Sequence, residues 1–141
     1  MSVIGPFSSG KSLILNTLFG TEYISGSGRC TRGVYGSLID IKTGIKKSNF
    51  KKILILDSEG TECKEATDDT FDKRIIFYML SVSHIVLICN KGEMKNDMER
   101  TIKLAADSIM KVREMIDQQP EVHIIMNDVD LKGDKGLAAT I

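Results

Sequence analysis

Gly5-Pro6-Phe7-Ser8-Ser9-Gly10-Lys11-Ser12 decides how the rest of this chain is read. The spacing is G-x-x-x-x-G-K-S. Two glycines let the backbone curl so that several N–H groups converge on an anion, and a helix N-terminus behind the turn adds partial positive charge. Lys11 can reach terminal phosphates as a point charge, and the Ser12 hydroxyl is placed to ligate Mg²⁺. The flanks agree with this reading. Val3-Ile4 has the character of a strand end, and residues 12–19 form a helix with an apolar face.

Beyond that helix the chain alternates strand and helix. A Gly/Ser-rich stretch at 26–33 carries turn chemistry, and 34–41 predicts a strand. Residues 43–50 contain Gly, Ser and Asn and predict a hairpin connection into Lys52-Ile53-Leu54-Ile55-Leu56-Asp57, an apolar run expected to be buried on both faces. Phe71, Ile75, Tyr78, Met79 and Val82 recur at helical spacing, and residues 84–89 form another buried strand. Met94, Met98, Ile102, Ala105, Ile109, Val112 and Ile116 draw one stripe down a helix that ends at Gln119-Pro120. Val122 to Met126 is the last strand. The expected fold is α/β, a P-loop NTPase sandwich of three layers (α/β/α). Its sheet is mostly parallel with one antiparallel edge strand.

With 141 residues this is a single domain, 1–141, large enough to bury a core. Lys+Arg and Asp+Glu both number 19, so no global field favours nucleic acid or an anionic membrane. The basic pairs Lys46-Lys47 and Lys51-Lys52 read as a solvated hairpin tip. Cys30, Cys63 and Cys89 have no metal or disulfide spacing and fit a reducing, cytoplasmic setting. No apolar run approaches the ~20 residues of a membrane helix. The strand before Gly5 is short, and eleven residues follow Asp130. A partial domain, cut at both ends and leaving apolar surface on its last strand, is therefore the expectation.

In such sheets ligands bind beyond the C-terminal strand ends, and the remaining candidates fall there. Asp57-Ser58-Glu59-Gly60 is D-x-x-G at the end of a buried strand. Its Asp can hold Mg²⁺ through water, and its Gly can offer an N–H to a γ-phosphate. Thr31, in the loop ahead of the second strand, can ligate Mg²⁺ by its hydroxyl. For the base, Asn90-Lys91-Gly92-Glu93 imitates N-K-x-D but sits one strand too early. Asn127-Asp128-Val129-Asp130 follows the last strand with Asp in place of Lys. A carboxylate there accepts two hydrogen bonds from guanine N1–H and the exocyclic amine, a donor pair adenine lacks. His84 and His123 read as strand-boundary residues, and Glu59 as a stabiliser of its loop, with a general-base role by position as the alternative.

Taken together, these blocks resemble a large GTPase of the dynamin superfamily. The guanylate-binding/atlastin/root-hair-defective group and the very large interferon-inducible GTPase type are the nearest in pattern. The resemblance is carried by residues 5–20, by Gly28-Arg29-Cys30-Thr31-Arg32-Gly33-Val34, and by Leu56-Asp57-Ser58-Glu59-Gly60-Thr61. It implies GTP/GDP as ligand and Mg²⁺ as cofactor. Ser12, Thr31 and Asp57 would stand at the metal, and Gly5, Ser8, Ser9, Gly10, Lys11, Ser12, Leu13 and Gly60 around the phosphates. Asn127 with Asp130 would read the base, Asp128 being the rival reader, and G domains would pair in a nucleotide-dependent homodimer. Catalysis would draw on Lys11, Ser8 and Thr31. Two departures stand out. Ser8 occupies the position of the atlastin-type Arg finger, as in the dynamin arrangement, and Thr61 follows Gly60 where small GTPases carry Gln. Three activities remain open: a GTP-hydrolysing switch, a non-hydrolysing nucleotide-binding module, and an ATPase or phosphotransferase.

Overall fold

The computed structural model describes residues 1–26, 31–41, 50–61, 69–92, 96–117 and 119–127. Among them the order is β1 (Ser2–Ile4), α1 (Lys11–Phe19), β2 (Val34–Asp40), β3 (Lys52–Ser58), α2 (Asp69–Val82), β4 (Ile85–Lys91), α3 (Asn96–Met115) and β5 (Glu121–Asn127). The five strands form one sheet in the order β2-β3-β1-β4-β5. Every neighbouring pair is parallel except β2 with β3, which run antiparallel from Val34↔Ser58 to Asp40↔Lys52. The expected architecture is therefore present, with its antiparallel strand at one edge.

Period-2 alternation builds the layers. Along β1, Val3 faces one way and packs with Leu15 of α1, Ile55, Leu87 and Cys89. Ile4 faces the other way, into Ile76, Met79 and Leu80 of α2 and Met98, Ala105 and Val112 of α3. One helix thus covers one face and two cover the other. Although β1 has three residues, it bonds on both sides, Val3 opposite Asp57 and Leu87. Ser58 Oγ adds a 2.7 Å hydrogen bond to Val3 O.

Three sequence expectations need correcting. In α2 the buried face is Ile75, Ile76, Met79 and Leu80, while Tyr78 and Val82 are exposed. Both sets satisfy helical spacing. A helix packed on the sheet and on α3 at once needs the wider sector, and only the adjacent pairs 75/76 and 79/80 supply it. In β3, Leu54 is half exposed rather than buried, because the face it shares with Leu38 of β2 lies beyond the reach of α2 and α3. In α3 the stripe from Met98 to Val112 is inward as expected, but Ile116 lies past the helix end and is exposed. Met94 and the hairpin tip at 42–49 lie outside the described residues. Ile124 and Met126 of β5 are exposed. No described helix is long and apolar enough to cross a membrane.

Candidate nucleotide site

The turn between β1 and α1 is built by backbone conformations that ordinary residues avoid. Gly5 has φ 150° and Gly10, the residue ahead of α1, has φ 85°. Ser8 has φ 59°, a left-handed conformation costing a non-glycine residue about 1–2 kcal/mol. Strain of this kind persists where surrounding structure holds it, and here it curls the loop around its own N–H groups. No side chain caps α1, so its first amides, including that of Leu13, remain open toward an anion.

Lys11 is buried in this curl. Its Nζ donates to Gly5 O at 3.2 Å and Pro6 O at 2.9 Å. Burial lowers its pKa to about 8, with the negative charge of Asp57 pulling the other way. The ammonium is thus short of compensating charge, which a polyphosphate would supply.

Ser12, Thr31 and Asp57 converge on one point. Ser12 Oγ lies 2.7 Å and Thr31 Oγ1 3.2 Å from Asp57 Oδ2, and the two hydroxyls are 3.4 Å apart. Asp57 is fully buried at the end of β3, and burial raises its pKa against the hydrogen bonds from Ser12 and Thr31. Its second oxygen, Oδ1, is buried with no hydrogen-bond partner. Two hydroxyls against one carboxylate, with an orphaned acceptor, fit a small hard cation that takes few protein ligands and completes its shell with phosphate and water. No group of three or more His, Cys, Asp or Glu able to hold a metal occurs among the described residues.

The loop after β3 is zipped to the phosphate loop. Thr61 N donates to Gly5 O at 3.1 Å, and Phe7 N donates to Thr61 O at 2.9 Å. Gly60 lies so close that a Cβ there would stand 2.6 Å from Phe7 Cα and 3.0 Å from Lys11 Nζ. Gly60→Ala is therefore expected to push the two loops apart and weaken GTP-analogue binding by about tenfold or more, with a smaller loss for GDP. Titration of both nucleotides checks this, and equal losses would contradict it. Glu59 holds the Thr31 loop: its Oε2 accepts from Gly33 N at 3.0 Å, and its own N–H donates to Gly33 O at 2.8 Å. That matches the loop-stabilising role read from sequence.

At the base end, Asn127 closes β5 with its Nδ2 3.4 Å from Ser9 O, and a Cβ on Gly10 would come within 2.5 Å of the same amide nitrogen. Asp128 and Asp130 lie outside the described residues. Lys91, whose tetrad sits one strand too early by sequence, is the register partner of Asn127, and both line the same cavity. Sequence reasoning missed Ile24, Ser25 and Gly26, which form another wall. Their placement depends on Asn16, whose Oδ1 accepts from Thr21 Oγ1 and Tyr23 N while its Nδ2 donates to Tyr23 O. Tyr23 OH in turn reaches Ile55 O at 2.8 Å. An Asn inside a helix followed by Gly was the only local hint. The cavity enclosed by these walls and the phosphate loop measures about 460 Å³, within the range of small-ligand pockets.

The family model for URGCP-like GTPase domains matches residues 1–135, from β1 past the end of β5. The chain belongs to this family. This GTPase domain is 28% identical over 118 residues to mouse interferon-induced very large GTPase 1, an alignment covering 82% of the chain and 5% of that protein. The human counterpart is 26% identical over the same length. ROOT HAIR DEFECTIVE 3 homolog 1 of Arabidopsis thaliana is 38% identical over 95 residues, covering 62% of the chain and 11% of the plant protein. The URGCP-like domain thus corresponds to a small part of each of these large proteins. The dynamin-type resemblance and the α/β GTPase fold expected from sequence are both upheld.

Proposed function

We propose that this domain binds GTP together with Mg²⁺ and hydrolyses the β,γ-phosphoanhydride, its loops at Thr31 and Gly60 responding to the γ-phosphate. The observation carrying this reading is the meeting of Ser12, Thr31 and Asp57 at one point beside Lys11. Ser12 and Thr31 would hold the ion through their hydroxyls and Asp57 through its carboxylate, and the ion would supply charge neutralisation at the phosphate oxygens. Lys11 and the loop amides would bind the phosphates and stabilise negative charge that develops at the bridging oxygen. Ser8, exposed on the same loop, faces the cavity from the position where a charge-organising side chain is expected. Glu59 is engaged with Gly33, which supports its assignment to holding the Thr31 loop. Base selection is assigned to the tip of β5, with Asn127 and either Asp130 or Asp128 as readers.

A homodimer through this face completes the proposal. Phe7, Leu13 and Ile24, at 38, 55 and 76% exposure, ring the cavity mouth with apolar surface suited to a second copy. A slower, binding-dominated module is the second reading, favoured by Thr61, whose side chain is buried at the position where small GTPases carry the water-positioning Gln.

Calorimetry with GTP, GDP and ATP, with and without Mg²⁺, tests the reading, followed by single-turnover phosphate release. GTP is expected to exceed ATP in affinity. Removing Mg²⁺ should weaken GTP by roughly 10- to 100-fold, the loss of one or two charge-assisted contacts. Asp57→Asn should abolish that Mg²⁺ dependence. Equal affinities for GTP and ATP, unaffected by chelator, would overturn the proposal. Phosphate release that rises with protein concentration separates the hydrolase from the binding module.

A further inference from the structure

We propose that Thr101, on α3, is a positioning residue that sets this domain's preference for a nucleoside triphosphate over a diphosphate, acting through Thr61 on the Gly60 amide. The inference rests on the nucleotide-binding reading above and adds to it a residue that touches no ligand.

Thr101 is almost fully buried, in the second turn of α3. Its Oγ1 donates to Asp97 O at 2.9 Å and lies 2.9 Å from Thr61 Oγ1. A threonine hydroxyl has one proton. Since Thr101 spends it on Asp97, the proton between the two hydroxyls belongs to Thr61. The result is a directed relay, Thr61 O–H to Thr101 Oγ1, and Thr101 O–H to the Asp97 carbonyl. Back-bonding of a helical threonine to residue i−4 is commonplace. Here the same oxygen also accepts from a loop forty residues away in sequence.

That loop carries Gly60. Residue 61 is held from the phosphate-loop side by its backbone N–H on Gly5 O and by Phe7 N on its carbonyl. The hydroxyl holds it from the α3 side. Residue 59, on the other flank, is pinned to Gly33 through both its backbone N–H and its carboxylate. The Gly60 amide is thus suspended between two fixed neighbours, with Thr101 supplying an anchor that comes from outside the nucleotide loops. Gly60 serves the γ-phosphate, which a diphosphate lacks. Loosening this anchor should therefore fall on GTP and spare GDP. A residue with a purely structural role would lower both affinities together with the melting temperature.

The test titrates fluorescent GDP and a non-hydrolysable GTP analogue, each with Mg²⁺, against the wild type, Thr101→Val, Thr101→Ser and the double variant Thr61→Val/Thr101→Val. Thr101→Val should weaken the GTP analogue by about tenfold, as for loss of one well-placed hydrogen bond, and change GDP by less than about twofold. Thr101→Ser should restore the wild-type ratio. The double variant leaves no orphaned hydroxyl, so it should melt close to the wild type yet lose the GTP preference as fully as the single variant. If Thr101→Val does not fold, the double variant carries the same measurement. An unchanged GTP/GDP ratio in the folded variants, or parallel loss of both affinities, overturns the inference. A wild-type protein that takes up neither nucleotide overturns the binding reading instead.

Discussion

Lys11→Ala is expected to lower affinity for both GTP and GDP by roughly 30- to 150-fold, corresponding to about 2–3 kcal/mol for a buried, charge-assisted contact. Lys11 is 6% exposed and already desolvated, so its charge is not screened by bulk water as a surface lysine would be. Its Nζ sits among the carbonyls of the loop itself, at 3.2 and 2.9 Å from Gly5 and Pro6, which orients it before any anion arrives. Lys11→Arg should not rescue binding. The guanidinium is larger and planar, and the space above Nζ is limited by Gly60, whose hypothetical Cβ would be 3.0 Å away. Fluorescent-nucleotide titration of the folded variant measures the effect, with circular dichroism as the control for structure. Unaltered uptake in Lys11→Ala would remove the basis of the nucleotide reading.

Gly5→Ala should damage the fold itself. An added Cβ would stand 2.2 Å from the carbonyl oxygen of Cys89, which is backbone of the adjacent strand and cannot swing aside. The φ of 150° is unsuited to any L side chain. Overpacking of about 1–3 kcal/mol and backbone strain of a similar size combine to roughly 2–6 kcal/mol, a large part of the 5–15 kcal/mol that stabilises a typical domain. A melting temperature lowered by about 10 °C or more, or recovery only as aggregate, is the expected result. Gly20→Ala is the control. Gly20 also has positive φ, 65°, yet nothing lies within 4 Å of its would-be Cβ, so about 1 kcal/mol is expected there. Similar melting of the two variants would mean that the approach of β4 does not matter.

Much of this is legible in the sequence alone. The phosphate loop is local: its glycine spacing and the lysine-serine pair that follows are dictated by a turn of eight residues, so the string of letters carries the geometry. Asp57 was equally readable, because an apolar run ending in a carboxylate places that carboxylate at the mouth of a parallel sheet. What could not be read is what depends on distant partners. Tyr78 and Val82 fit a helical stripe as well as Ile76 and Leu80 do, and only the second surface offered by α3 decides which set turns inward. Lys91 was set aside because its tetrad follows the wrong strand. The parallel register of β4 with β5 nonetheless brings it opposite Asn127. Thr61 read as a vacancy left by a missing glutamine. Its hydroxyl points to α3, a contact no motif announces.

The contact of the Asn127 amide with Ser9 O, and the 2.5 Å that separates it from any Cβ on Gly10, join the tip of β5 mechanically to the glycine turn. In the proposed reading, purine recognition and the grip on the polyphosphate meet at this contact. An alteration at the tip of β5 will therefore register in how tightly inorganic triphosphate is held, and one in the glycine turn will blur the choice between guanine and adenine.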